Sequence, residues 1–466
     1  MAASLLIRLR PTGPWRIGPD SGARDRVDRI FHSDALYAAV CSAMARLDDG
    51  DTGLEAWLDA TARSTEPAVR LSSLLPYQRK TLFVPPPNHI WPPQTSARLR
   101  AKGARFVPTS VVADLLDGKR LEETRWKVDA ESECLIPAGA ADEVAGPFRA
   151  VLRTAAAVDR EGLGVAPHAT ACLEFNRGAG LWCAVQFSDD AAHETWRPRV
   201  MAAFRLLADS GFGGERSRGW GRAMTPDFRD GELAELLFSN RELPAIGGEA
   251  GAGHWLLSLY HPLESDAVDW DKGSYELVTR GGRVESDAAM DAGKWGSAKK
   301  PTRLVSEGSV LVAAEAPVGA APDTAPDGVP HPVYRAGFAV TVEVPLIIKK
   351  PEPVEVQEPE VSKETGDRSQ ETLEEPGAEI PEPEQVPVQQ SFDLRPAPQV
   401  ELELEARRAL EAEQRQRAEA QSGEPGAEAP ADASQEQHDA APEQASEPDI
   451  QQEPEQDQDQ DKERGE

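Results

Sequence analysis

The 466-residue chain is poor in the residues from which metal and redox centres are built. It has four cysteines, Cys41, Cys134, Cys172 and Cys183, widely spaced and without a CxxC pair. That spacing indicates neither a zinc site nor a disulfide framework, so free thiols of a cytoplasmic protein are expected. No stretch reaches the ~18 apolar residues that a membrane span requires. The start, MAASLLIRLRPTG, lacks a long apolar run ending in a small-residue cleavage site, and reads as a first strand rather than a signal peptide. No Gly-Lys-Ser/Thr follows any glycine cluster as a phosphate-binding P-loop requires, and the main cluster follows a helical pattern instead of opening a helix after a strand. His254 and His261, seven apart on a strand and its end, are expected on opposite faces, and His331 before Pro332 reads as structural, so no metal or cofactor is expected.

What is abundant is acid, and it is unevenly placed. The formal charge is −30. Residues 351–466, rich in Glu, Gln, Pro, Ala and Asp, carry 34 acidic and nine basic residues, leaving only about −5 on residues 1–350. A segment so poor in apolar side chains cannot offset its chain entropy, which predicts a disordered tail over 349–466. Within it Gln399–Gln421 is rich in helix formers but has no heptad seam, so a solvated helix is expected there. The tail's charge suits solubility or a screen against unrelated polyanions.

Periodicity organises the rest. Leu5, Ile7 and Leu9 predict a strand over Ser4–Arg10. Leu36, Ala39, Val40, Ala43, Met44 and Leu47 predict a helix over 34–47, with Ser33 as cap and Asp34 in its first turn. Residues 71–84 lead into a strand stopped by Pro85–Pro87; Lys102–Pro108 reads as a strand, Val111–Leu116 as a helical turn, and Ala169–Phe187 as a β-hairpin. Met201, Phe204, Leu207 and Ala208 predict the buried side of a helix over 200–209, with a further strand after Ala223. Beyond Glu249, strands are expected over 255–260, 275–279, 303–312 and 338–344. Strands with few helices predict two α+β modules, 1–248 and 249–348.

The most informative segment is Gly211-Phe-Gly-Gly-Glu-Arg-Ser-Arg-Gly-Trp-Gly-Arg222. Gly213, Gly214, Gly219 and Gly221 permit left-handed backbone and close approach, so the exposed amides could form an anion-binding nest. Arg216, Arg218 and Arg222, with Ser217 between, offer forked donors to phosphate, and Trp220 a face on which a base could stack. Together they predict a loop that holds a nucleic-acid backbone. The plainer alternative is a solvated turn whose arginines pair with Glu215 or Asp209.

The order of the pieces resembles the RAMP superfamily of CRISPR effector subunits, in particular the type III-A (Csm-type) subunit that caps the 5′ end of the guide RNA. The resemblance rests on Phe31-His-Ser-Asp-Ala-Leu-Tyr37 leading to Cys41, Leu71-Ser-Ser-Leu-Leu-Pro-Tyr77, Leu82-Phe-Val-Pro-Pro86, Phe106-Val-Pro-Thr-Ser110, and the glycine-rich loop. Farther on it rests on Leu257-Ser-Leu-Tyr-His-Pro262, Tyr275-Glu-Leu-Val278, Lys299-Lys-Pro-Thr-Arg303 leading to Glu307-Gly-Ser-Val310, and His331-Pro-Val-Tyr-Arg-Ala-Gly-Phe338. It spans about residues 1–345 and leaves the acidic tail outside. It implies two ferredoxin-like (RRM-like) modules. It also implies binding of the crRNA 5′ handle, contacts with the large polymerase-like subunit and a backbone RAMP subunit, and no catalysis.

The residues support a scaffold in their own right. A ribonuclease needs an acid–base pair or a metal cluster beside the RNA. The best candidate is His32 next to Asp34, and residues two apart at a helix start do not face each other. His32 is expected to pack or to touch RNA, with Ser33 and Asp34 capping the helix. Lys299, Lys300 and Arg303 form a second basic cluster for RNA, and Arg160 and Arg177 lie in loops that could approach it. Open alternatives are an endoribonuclease of the same superfamily, the equivalent type III-B subunit, and a protein-only scaffold.

Overall fold

The computed structural model describes residues 3–19, 22–47, 52–93, 103–139, 145–158, 164–239 and 252–346. The chain divides into two units, residues 1–359 and 360–466; the second, with the expected Gln399–Gln421 helix, lies outside the described residues, as does Arg160.

The first strand, β1 (Ser4–Leu9), buries Leu5, Ile7 and Leu9 completely. Helix α1 (Ser33–Leu47) presents Leu36, Val40, Ala43 and Met44 to the core at helical spacing. Helix α2 (Thr52–Ala60) follows, its Trp57 ring stacked at 5.8 Å on Tyr37. The segment expected as one strand forms three: β2 (Val69–Leu71), β3 (Leu75–Gln78) and β4 (Thr81–Val84). The last two make a hairpin through Arg79, which takes φ 55° without being glycine. The strand expected over 102–108 is confined to β5 (Val107–Pro108), and α3 (Thr109–Leu116) follows it directly.

After the short ladder of β6 (Trp126–Val128) and β7 (Leu135–Pro137) come β8 (Phe148–Val158), β9 (Val165–Phe175) and β10 (Ala179–Phe187). The hairpin expected over 169–187 is not formed. β9 pairs along its whole length with β8, while both edges of β10 are taken, one by β1 and the other by β2 and β3. Helix α4 runs over Asp190–Ser210, through Pro198 and well beyond the expected start, because Asp189 caps it by accepting from Ala192 N at 2.7 Å. Then come β11 (Asp227–Gly231) and α5 (Leu233–Phe238).

The main sheet has the order β11-β1-β10-β3-β4-β5, with β2 beside β10 as an upstream continuation of β3. Its central strands, β1, β2/β3, β10 and β11, are antiparallel and lie in the spatial order fourth, first, third, second, with α1 after the first and α4 after the third. That is the ferredoxin-like βαββαβ arrangement, with β4 through β9 inserted between its second and third strands.

The second module contains β12 (Ala252–Leu256), β13 (Leu277–Arg280), α6 (Asp287–Asp291), β14 (Thr302–Val305), β15 (Val310–Val312), β16 (Gly319–Ala320), β17 (Gly337–Phe338) and β18 (Thr341–Pro345). β12 is central in a three-stranded antiparallel sheet between β15 and β18. The single strand expected over 303–312 is split into β14 and β15 by a turn in which Gly308 takes φ 88°. The strand expected over 255–260 ends at Leu256, and Leu257 turns to donate its N–H to Val340 O at 2.9 Å. Trp255, Leu257, Phe338 and Val340 pack into the same core as α1 and the main sheet. Trp255 is fully buried and donates its indole N–H to Pro85 O at 3.1 Å. A large side chain buried this way stabilises by about 2–3 kcal/mol.

Candidate nucleic-acid interface

The glycine-rich loop follows α4 and is built by close packing rather than left open. Gly211, Gly213, Gly219 and Gly221 all have positive φ, as does Glu215 at 61°. A Cβ on Gly221 would sit 2.0 Å from Phe212 O, and one on Gly213 2.7 Å from Arg16 O. Several of the loop's amides are spent inside the protein. Gly214 N donates to Arg16 O (2.9 Å), Gly221 N to Pro14 O (3.0 Å), Arg218 N to Glu215 O (2.9 Å) and Gly219 N to Arg216 O (2.9 Å). Trp220 is only 7% exposed and offers no open face for a base; the Arg153 guanidinium lies 5.9 Å from its ring centre.

The side chains at the rim face solvent. Arg216, Ser217, Arg218 and Arg222 are exposed. Among the described residues Arg216 and Arg222 have no ion pair, whereas Arg218 meets Glu215 at 3.2 Å and His168 at 3.1 Å. The loop is anchored to the root of the β8–β9 ribbon through Trp15, which exchanges backbone hydrogen bonds with Leu173, and through Arg16. The buried Arg16 guanidinium donates to Ala23 O, Arg24 O, Arg26 O and Ala171 O, and burial lowers its pKa. This contact brings Arg24, Arg149 and Arg153 to the same rim. Arg24 pairs with Glu215 at 2.8 Å, while Arg149 and Arg153 share Glu174 at 3.0 and 2.6 Å. Arginines 24, 149 and 153 thus join 216, 218 and 222 around Glu174 and Glu215, with Asp25 near Arg16 and Glu131 beside the start of β8, a local excess of cation that suits a polyanion. Sequence reasoning missed the first three. A signal existed in Arg149 and Arg153, an even number of residues apart on one strand and therefore on one face.

His32 takes the packed one of its two expected placements. It is 6% exposed, with Nδ1 2.8 Å from Glu307 Oε1 and Nε2 3.5 Å from Asp28 Oδ2. Burial opposes the charged imidazole, but attraction to Glu307 and hydrogen bonds to both carboxylates outweigh it and raise the pKa to about 9. Ser33 does not serve the helix as a cap: its Oγ accepts from Leu259 N at 3.0 Å, and its own N–H donates to Ser73 Oγ, which in turn donates to Glu307. Asp34 is buried and accepts from Arg280 Nε at 3.2 Å and from Arg335. Burial disfavours its charge, yet Arg280, His32 and Arg335 hold its pKa below the ordinary carboxylate value. His32-Ser33-Asp34 therefore joins the main sheet's module to the one that follows, rather than meeting solvent. The triplet also lines, through His32, a cavity of about 490 Å3 with Arg105, Glu276 and Arg280.

The second basic cluster is not one patch. Lys299 is half-buried in a recess beside α1, Lys300 pairs with Asp327 at 3.4 Å, and Arg303 is exposed on β14. Arg177 is exposed in the turn before β10. His331 bonds Ser286 at 2.7 Å, and His254 bonds Ala313 O at 3.2 Å. The four cysteines are unpaired. Among the described residues no helix is long and apolar enough to cross a membrane, and no three metal-ligating side chains converge.

Residues 249–344 match the family model described as the CRISPR Csm4 C-terminal domain. This match covers the C-terminal part of the described chain, beside a main sheet of ferredoxin-like order. What is of the Csm4 type is the segment 249–344. No curated protein matches it. Among solved structures it is similar to a Csm3–Csm4 subcomplex of the type III-A CRISPR-Cas interference complex, at 16% identity and a TM-score of 0.49, covering 74% of this chain and 99% of that one. It is similar to a Csm1–Csm4 cassette in complex with cA4, at 16% identity and a TM-score of 0.44, covering 74% and 100%. A type III-B Cmr-beta complex bound to cognate target RNA is similar over 49% of this chain and 60% of that one, at 8% identity and a TM-score of 0.27.

Proposed function

We propose that the chain is the non-catalytic RNA-binding subunit of a type III-A CRISPR interference complex in the cytoplasm. It holds the 5′ handle of the crRNA and bridges the large polymerase-like subunit to the backbone RAMP subunits in antiviral defence. The observation that carries this is the rim where the glycine-rich loop meets the β8–β9 ribbon: a cluster of six arginines that outnumbers its carboxylates, in a chain whose residues 249–344 match a Csm4 C-terminal domain. The glycines, Gly213, Gly214, Gly219 and Gly221, act by fixing the bend that presents Arg216, Ser217, Arg218 and Arg222 rather than by offering amides. The working division is 1–248 for the module with the rim, 249–348 for the second module and 349–466 for the acidic tail.

Catalysis finds no support in the residue best suited to it. A general base must be neutral at working pH, and His32, clamped between Asp28 and Glu307, is charged there.

The test is handle-RNA binding as a function of salt. Replacing Arg216, Arg218 and Arg222 together by alanine should weaken binding and reduce the log–log salt slope by roughly 0.7 for each phosphate no longer engaged. Unchanged affinity and slope would place the handle elsewhere.

A further inference from the structure

Between β13 and β14 the chain makes an excursion over residues 281–301 that carries α6. It is an ordered piece: Val284 N donates to Ser297 O (3.0 Å), Gly296 N to Val284 O (2.8 Å) and Lys299 N to Gly282 O (2.9 Å), while Ser286 caps α6 by accepting from Ala289 N at 3.1 Å. Yet it holds two large apolar side chains in water, Met290 at 63% exposure and Trp295 at 54%. The excursion also lines a cavity of about 280 Å3 against α1 and α2, where Tyr37, Leu58, Val284 and Tyr334 supply a mostly apolar wall and Lys299 an ammonium.

Charge around that ammonium is unbalanced. Lys299 is half-buried and has no ion pair among the described residues. Burial first, and then the nearby Arg335, lower its pKa. Asp34, a buried carboxylate whose charge acts on Lys299, is already shared by Arg280 and Arg335. Arg63, at the cavity's edge, is occupied by Glu55 and Asp59 at 2.6 and 2.8 Å, and Glu285 is exposed. The charge of one buried acid is thus spread over Arg280, Arg335, His32 and Lys299, and a partly desolvated ammonium with no ion pair of its own is costly unless something binds it.

We propose that this face docks a partner protein that inserts an aspartate or glutamate into the cavity against Lys299 Nζ and lays apolar side chains on Met290 and Trp295. A protein fits better than RNA. A single unpaired cation in an apolar, tyrosine-lined recess suits one carboxylate and not a phosphate chain, and exposed Trp and Met are enriched at protein interfaces. The cavity holds one or two side chains, so it works as an anchor point within a wider contact. The inference does not depend on where RNA binds, but it does rest on the assembly of the chain with other proteins.

The experiment uses the assembled particle with the full chain. A zero-length carbodiimide, which joins an amine and a carboxylate in contact as an amide, should link Lys299 to an Asp or Glu of another chain, identified by mass spectrometry. Lys299→Arg should lose the link and keep the particle. Lys299→Glu should weaken association by roughly tenfold or more, with Trp295→Ala also weakening it. Because the link is read in the wild-type particle, a variant that fails to fold does not blur the result. Lys299 left free in an intact particle, linked only to Glu285, or shielded in a manner that ribonuclease abolishes, overturns this proposal alone. A chain that recruits no protein at all overturns it together with the assembly reading.

Discussion

A histidine held between two carboxylates and shut away from water is a fixed cation, and the consequence is measurable. The pKa of His32 stands at about 9, above the ordinary 6.5, because Glu307 and Asp28 outweigh the cost of burial. A raised folded-state pKa gives stability that is complete below about pH 6.5, declines as pH rises, and is gone above about 9. A shift of this size corresponds to about 3 kcal/mol. His32→Gln should therefore lower the urea midpoint strongly at pH 6, and the gap to wild type should narrow markedly by pH 9.5. A gap independent of pH would mean that the imidazole is neutral in the folded protein. None of this was legible in the sequence. Asp34 invites reading as a helix-start residue, and its real partners, Arg280 and Arg335, lie 246 and 301 positions along the chain. Periodicity sees neighbours on one element and is blind to a side chain whose counter-ion arrives from another module.

At the scale of elements, the glycine-rich loop was legible as a bend, but not the internal acceptors that take up several of its amides. The same residues that permit an anion cradle also permit backbone to pack on backbone, and the second use prevails because the segment around Pro14–Arg16 supplies the acceptors. Gly221 shows how tight this is, with φ 79° and Phe212 O at 2.0 Å from any added Cβ. Gly221→Ala should destabilise the chain by at least about 2 kcal/mol, combining left-handed strain with the collision. It should also weaken handle binding, though the substitution removes no charge. Gly219→Ala, with open space around the added methyl, should cost only the conformational strain. Thermal unfolding of the pair decides, and equal destabilisation would contradict the packing account. β1 and α1 were readable because each has one buried face with a clean period, whereas β9 and β10 were not. Asn176–Gly178 looks like a hairpin turn, with Gly178 at φ 77°, but β10 lies between β1 and β3 in the sheet. A strand with both edges occupied has none left for its sequence neighbour, and β9 pairs with β8 instead.

At the scale of the whole molecule, charge divides the labour. Residues 1–350 carry only about −5, so no long-range field draws RNA to them, and the proposed binding draws on the local excess of arginine at one rim. The remaining net charge of about −25 lies in residues 351–466. Such a charge repels polyanions within a Debye length, about 10 Å at 0.1 M salt and 30 Å at 0.01 M. A handle seated in matched contacts can overcome that repulsion, but unrelated RNA with few contacts cannot. Ending the chain at Lys350 should therefore raise affinity for unrelated RNA at low salt, leave handle affinity less changed, and lose its effect as salt rises towards 1 M, where screening is complete within about 3 Å. Filter binding of both RNAs across a salt series measures the ratio. If the truncated and full chains discriminate equally well at about 10 mM salt, where the tail's field reaches farthest, the tail takes no part in selectivity and its charge serves solubility alone.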